Sequence, residues 1–257
     1  MSIEEIKEIC SKYGIRNYTI NEDLSIDVKG SVDLSNQGLT KLPLKFRSVS
    51  GGFYCNDNKL TSLVGAPNSV GGSFDCWYNK LTSLKGAPTS VDGDFECYNN
   101  NLTSLEGAPQ SVGGDFYCND NNLTSLEGAP NYIGGDFSCH SNQLTSLKGV
   151  PESIAGYFDC QDNKLTSLEG APQSVGGDFY CTYNKLTSLE GAPSHVGGDF
   201  GCRINQLTSL GGAPKSVGGD FYCIENPIYE ELGDIDYKSY IKMLNRDKKI
   251  QEILNKN

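Results

Sequence analysis

The sequence predicts a repeat solenoid, mainly β, built as a stack of short coils. Three observations carry that prediction. Nine cysteines, from Cys55 through Cys118 to Cys223, follow one another at intervals of 21 residues. Phenylalanine keeps the same step from Phe53 to Phe221, and asparagine keeps it from Asn58 to Asn226. The unit reads F-x-C-x-x-N-x-L-T-S-L-x-G-A-P-x-x-V-G-G-D, whose Gly and Pro leave no room for a helix of about ten residues. A period of this kind marks a solenoid, because one such unit cannot bury its apolar face without neighbours.

Each part of the coil has a physical reason. F-x-C alternates and is β-prone, so it reads as a short strand with Phe and Cys inward and the residue between them outward. The two leucines of L-T-S-L are the next inward candidates, and Gly-Ala-Pro turns the chain. Val follows, and Gly-Gly allows close backbone approach before the next strand. The return path is therefore extended or a short 3₁₀ turn. About five apolar side chains per coil, each contributing roughly 1.5–3 kcal/mol, do not offset about 1–2 kcal/mol of backbone entropy per residue. Stacked at about 4.8 Å, about ten coils make a rod or arc roughly 45–50 Å long.

The ends differ from the middle. Residues 1–31 read as an N-terminal cap: an amphipathic helix over residues 2–13 carrying Ile3, Ile6 and Ile9, then a hairpin in which Leu24, Ile26 and Val28 alternate. Residues 32–226 hold the solenoid of about ten 21-residue coils, opening on a weaker copy with Val32, Leu34 and Leu39 at the Phe, Cys and Leu places. Residues 227–257 lose the repeat, and Ile235 to Leu254 show helical spacing, so they read as a C-terminal helical cap.

The stretch "FYCNDNNLTSL" fits the pattern L-x-L-x-x-N-x-L, with Phe116 and Cys118 in the strand places, Asn121 at the ladder position and Leu123 after it. In this it resembles the leucine-rich repeat proteins. The short "LTSL…P" return is similar to their bacterial effector class, and the whole string with "SVGGDFYC" is most similar to the leucine-rich repeat proteins of tailed bacteriophages. The resemblance spans residues 30–226. It implies a leucine-rich-repeat-like coil stack with one parallel sheet, and a viral protein acting in a host cell; it implies no assigned activity. The pattern departs from that family where Val stands one residue further from the strand than the first Leu normally does.

Composition excludes several functions. A net charge of −11 argues against nucleic acid or an anionic membrane as direct partner and is compatible with a basic protein partner. No apolar run of about eighteen residues is present, so no membrane span is expected. "MSIEEIKEIC" lacks the apolar core of a secretory signal, and a ladder of thiols suits a reducing cytoplasm. No C-x₂-C pair offers zinc ligands. Parallel Cys side chains about 4.8 Å apart exceed the roughly 3.5–4.5 Å a disulfide prefers, so the ladder reads as small buried hydrophobes. Cys10, outside the ladder, is the cysteine expected to react. The asparagines read as turn-binding amides. His140 and His195 occupy different places in their coils, and no hydrolase, metalloprotease or phosphate-loop motif occurs. A non-enzyme without cofactor or metal is the expectation.

Individuality is confined to the outward strand places. Between Phe and Cys stand Tyr54, Asp75, Glu96, Tyr117, Ser138, Asp159, Tyr180, Gly201 and Tyr222. After Cys come Trp77, Tyr98, His140 and Arg203 among others, followed in two coils by Tyr78 and Tyr183. Before Phe, six of nine places are Asp, including Asp115 and Asp136, while Tyr157 replaces it once. An acidic face set with Tyr and the single Trp suits recognition of a protein, since such aromatics dominate binding hot spots. The competing expectations are a structural component of a virus particle and an acidic decoy that mimics nucleic acid.

Overall fold

In the computed structural model, which describes residues 1–232 and Ser239, the repeat folds as a β-solenoid of stacked parallel coils. The F-x-C segments form one continuous ten-stranded parallel sheet, from Val32–Asp33 to Phe221–Tyr222. Its register is strict: Phe116 lies beside Phe95 and Phe137, and Tyr117 beside Glu96 and Ser138. Phe and Cys of each coil are buried from Phe53 to Cys202, as are both leucines of every L-T-S-L. Neighbouring Phe rings stand with centroids 5.1–5.7 Å apart; most are stacked, while Phe137 turns edge-on to Phe116 and Phe158.

The single sheet expected from the resemblance is one of two ladders. The x-Val segments of the return path also pair in parallel, because extended chain at a 21-residue step meets its own copy in the next coil. This return ladder is a seven-stranded sheet ending at Tyr132–Ile133, then a four-stranded one starting at Ser153–Ile154. The displaced Val of the unit is the inward residue of these strands, buried from Val70 to Val196.

The asparagine column holds the coils together. Asn121 Oδ1 accepts from the Leu102 amide of the preceding coil, 2.9 Å away. Its Nδ2 donates to the carbonyls of Cys97, Cys118 and Asn119. Each equivalent Asn repeats the pattern, satisfying backbone groups that the turn leaves unpaired. In most coils the Ser of the Thr-Ser pair accepts the amide two residues on, as Ser104 does from Glu106. The glycine of Gly-Ala-Pro has φ between 83° and 103°, a region other residues rarely adopt.

Helix α1 (Ile3–Lys12) opens with a Ser2–Glu5 capping box and buries Ile6 and Cys10. Ile3 is exposed, contrary to the expected stripe. The hairpin pairs Tyr18–Ile20 with Ile26–Val28, and the second strand joins the return ladder. Leu24 is not part of that strand: it is an exposed turn residue at φ 62°, because Asn21 accepts its amide to close the turn. Cys10 is likewise corrected. It is buried against the hairpin, and desolvation pushes its thiol above the ordinary range, both of which weigh against the expected reactivity. Cys223, in the last coil of the ladder, is the least buried thiol among the described residues. Helix α2 (Pro227–Leu232) follows the last coil; the helix expected over 235–254 lies outside the described residues save Ser239. Among the described residues no helix is long and apolar enough to cross a membrane.

Candidate functional site

The outward faces of the ten-stranded sheet carry every candidate residue, but they form distinct groups. At one end Trp77 and Tyr98 stack with centroids 5.3 Å apart, and Tyr78 meets Trp77 edge-on at 6.0 Å. The expected aromatic trio is thus brought together. Trp77 and Tyr98 are half-buried, whereas Tyr78 is 57% exposed. Tyr54 folds back over Gly52, where an added Cβ would lie 2.3 Å from its hydroxyl.

The residue two after each Cys adopts the left-handed backbone, with φ between 50° and 60° from Asp57 to Glu225. Asp and Asn, which tolerate this region, fill Asp57, Asn99, Asp120 and Asp162. Tyr78 and Tyr183 do not suit it, yet both stand there, each 57% exposed. Nothing in the coil requires tyrosine at either place.

The aspartate column has a structural duty that sequence reasoning missed. Asp94 Oδ1 accepts the Asp115 amide at 2.9 Å, Asp115 the Asp136 amide at 2.7 Å, and Asp136 the Tyr157 amide at 2.8 Å. Asp178 and Asp199 continue it, and Ser31 and Ser73 do the same with their hydroxyls. Asp115 and Asp136 are therefore framework acceptors first. The other carboxylate oxygens of Asp115, Asp178 and Asp220 accept from the phenols of Tyr117, Tyr180 and Tyr222. Burial, aided by that bond, pushes the Tyr180 phenol up to about 12.

The centre of the face is a recess of about 340 Å³ walled by Glu96, Tyr98, Tyr117, His140, Tyr157 and Asp159, with Ser138 and Asn119. Tyr117 and Tyr157 belong to coils two steps apart, roughly 9.6 Å by strand spacing, yet their ring centroids lie 6.5 Å apart. They lean together over the intervening coil because its outward residue, Ser138, is small. Ser138 is 3% exposed, and its Oγ has no hydrogen-bond partner. Desolvation, reinforced by Asp75, raises the Glu96 carboxyl to about 7. Desolvation, reinforced by Asp94, raises Asp75 to about 6, and one Asp75 oxygen is buried without a partner. Asp159 is raised mainly by burial, against the pull of the Gln161 amide and of His140. Burial also raises the Tyr98, Tyr117 and Tyr157 phenols.

A second recess, of about 360 Å³, lies further along, lined by Tyr180, Tyr183, Arg203, Ile204 and Tyr222 among others. Gly201 makes it possible, since a Cβ there would meet the Tyr180 ring at 2.7 Å. Arg203 reaches Glu225 at 3.9 Å.

Sequence reasoning missed Glu96, Ser138 and Asp159 as site residues. The available signal was Ser138 itself, a small residue in register between Tyr117 and Asp159. The ladder thiols are held far above their ordinary range by burial, and the Cys118 and Cys160 thiols donate to carbonyls of the next coil. Among the described residues no group of three or more His, Cys, Asp or Glu is arranged to hold a metal ion. No family model and no curated protein matches the chain.

Proposed function

We propose that this solenoid is a non-enzymatic interaction module that recognises a protein through its strand face. The observation that carries this reading is the placement of Tyr78 and Tyr183. Both hold a large, exposed aromatic ring on a left-handed backbone that favours Asn or Gly. Strain retained under a large, exposed side chain points to function, and exposed Tyr is a preferred hot-spot residue. Concentration of tyrosines and the single Trp on the same face supports the reading, as does the excess of acid, which suits a basic partner. The aspartate column weighs against a nucleic-acid decoy, because its oxygens are engaged by backbone amides and phenols. The likeness of the repeat to phage leucine-rich repeats and the ladder of unpaired thiols support a viral protein working in a reducing cytoplasm.

The test exploits the strain. Tyr78→Asn and Tyr183→Asn place a residue that the backbone prefers, so the melting temperature holds or rises. Capture of a partner from lysate of the cells that carry the gene falls by at least about tenfold, as expected for losing aromatic anchors. Glu106→Ala with Glu127→Ala, exposed on the return path, leaves capture intact. Loss of capture with that pair, and not with the tyrosine variants, would place the interface on the other side.

A further inference from the structure

The central recess has features that a plain solvated sheet lacks. Its floor is a serine hydroxyl that is buried and unpartnered and, standing between inward Phe137 and Cys139, points outward into the recess. Its two ends are carboxylates, Glu96 and Asp159, three coils apart, or roughly 14 Å by strand spacing. Its walls are the rings of Tyr98, Tyr117 and Tyr157. Neither Lys nor Arg lines it, and among the described residues neither Glu96 nor Asp159 joins an ion pair. A buried hydroxyl without a partner, acid groups without ion-pair partners and aromatic π-faces together suit a cation rich in N–H donors on a slender apolar stem.

We infer that the recess between Glu96 and Asp159 binds the guanidinium or ammonium group of a basic side chain presented by the protein partner, with Ser138 Oγ accepting one of its N–H donors. This rests on the reading of the strand face as an interaction surface and names the chemistry it selects. Guanidinium is favoured over ammonium because its plane can stack between tyrosine rings while its edge forks a carboxylate. A neutral ligand would satisfy Ser138 but would leave the two carboxylates uncompensated.

Proton linkage follows. Glu96 is surrounded by Asp75, Asp94 and Asp115 with the Tyr98 phenol, and Asp159 faces His140 and Tyr157. The raised Glu96 holds its proton up to about pH 7 in the free protein. A cation needs the ionised form, so binding tightens as pH rises through that value. With one carboxyl titrating at about 7, the gain from pH 5.5 to 8 is roughly 30-fold.

The experiment is calorimetric or NMR titration of the whole chain with a Gly-Gly-Arg-Gly-Gly peptide, its citrulline counterpart and agmatine. The arginine peptide binds, tightens with pH and weakens with salt, and citrulline abolishes the pH dependence and most of the affinity. Ser138→Ala weakens binding about tenfold, the loss of one hydrogen bond, and Glu96→Gln, which keeps an acceptor oxygen but removes the charge, weakens it about tenfold and flattens its pH dependence. Ser138→Ala should not lower the melting temperature, because it removes an unsatisfied group, so a folding defect cannot mimic the result. Agmatine binding more tightly than the peptide would assign the recess to a free amine and overturn the partner side chain as occupant. Equal binding of arginine and citrulline peptides, or indifference to both substitutions, would overturn the cation. If the peptide fails while partner capture still depends on Tyr78 and Tyr183, the recess inference alone falls. If the peptide binds but no partner is captured, the interaction reading falls and the recess stands.

Discussion

The two ladders of the solenoid tolerate variation very differently. The strand sheet runs unbroken through ten strands although its outward place holds Tyr, Asp, Glu, Ser and Gly in turn. The return ladder, more uniform in sequence, breaks once, between Tyr132–Ile133 and Ser153–Ile154. The coil that follows the break reads V-P-E-S-I-A-G, with Ala155 where its neighbours carry the first Gly of Gly-Gly. At the equivalent Gly134 an added Cβ would lie 2.1 Å from the Gly113 carbonyl oxygen, a distance no real Cβ keeps. Yet Ser50 and Asp92 carry a Cβ at the same place and still donate to Val28 and Val70 in register. The methyl of Ala155 thus crowds the ladder without by itself accounting for the break; Val150, which replaces the Ala of Gly-Ala-Pro, is the other departure of this coil. Gly134 and Gly176 each donate to the preceding coil, at Val112 and Ile154, and among the described residues Ala155 has no such bond. A recess of about 630 Å³ opens beside the break. On the strand face variable atoms point to solvent, whereas on the return face a Cβ at this place stands close to the backbone of the preceding coil.

The largest expected effect comes from repeating this fault. Gly134→Ala brings a Cβ against backbone, a crowding that the coil of Asp92 accommodates in register, and overpacking of this kind costs about 1–3 kcal/mol. The melting temperature should fall and the Gly134 amide should lose protection from hydrogen exchange. A neutral result would mean that the Cβ clash is not what splits the ladder.

Next comes the strand face, where side chains are free but the aspartate acceptors are not. Asp115→Ala leaves the Asp136 amide and the Tyr117 phenol without their acceptor. Loss of bonds to a charged group costs about 1.5–2 kcal/mol, while Asp115→Asn, which keeps an acceptor oxygen, costs a fraction of that. If both variants unfold at the temperature of the parent, the column is solvated charge and not framework. Charge reversal at Asp115 or Asp136 accordingly disturbs the ladder before it reports on a partner.

How much of this could be read beforehand follows from the same geometry. The 21-residue step fixed the inward Phe, Cys and Leu and the amide role of Asn58 to Asn226, because burial and turn chemistry act within one coil. The duty of Asp94 and Asp115 depends on placing a side chain beside an amide 21 residues away, which only the stacking distance decides. The left-handed position was hinted at by Asp57, Asn99, Asp120 and Asp162 and hidden by Tyr78, Tyr183 and Ile204. The recess arises from three columns meeting over one small side chain, Ser138, so no single column reveals it.

A smaller effect would sharpen the comparison from the other direction. If the Ala155 methyl is what holds the coils apart, Ala155→Gly lets Ile154 pair with Ile133, regaining ladder hydrogen bonds of about 1 kcal/mol each against about 0.5–1 kcal/mol for the added chain entropy of Gly. Net stabilisation should stay at or below about 1 kcal/mol, with new exchange protection at residue 155. Val150→Ala, the other departure in that coil, should not restore it. If Val150→Ala closes the break and Ala155→Gly does not, crowding at the Gly-Ala-Pro turn is the cause.

The smallest effect separates the recess from the rest of the fold by pH. Asp75, Glu96 and Asp159 have carboxyls raised by burial, the first two to about 6 and about 7. A raised acid binds its proton more tightly folded than unfolded, so its contribution to stability is complete below about pH 4 and is lost as pH rises to about 7. Asp27, lowered to about 2 by Arg47 and Ser48, acts oppositely, as does Asp23, lowered by Lys45 and Ser25. Their contribution is present at neutral pH and disappears only on further acidification. The free protein should therefore be most stable between about pH 4 and 6 and weaken towards pH 8. Glu96 is half-exposed, so its share, discounted for solvent screening, is about 1 kcal/mol. Glu96→Gln should flatten the decline between pH 5 and 8 in urea titrations and leave the acid limb unchanged. A parent protein as stable at pH 8 as at pH 5 would show that these carboxylates are solvated like any others on the face, and the strand sheet would then hold no acid poised for a cation.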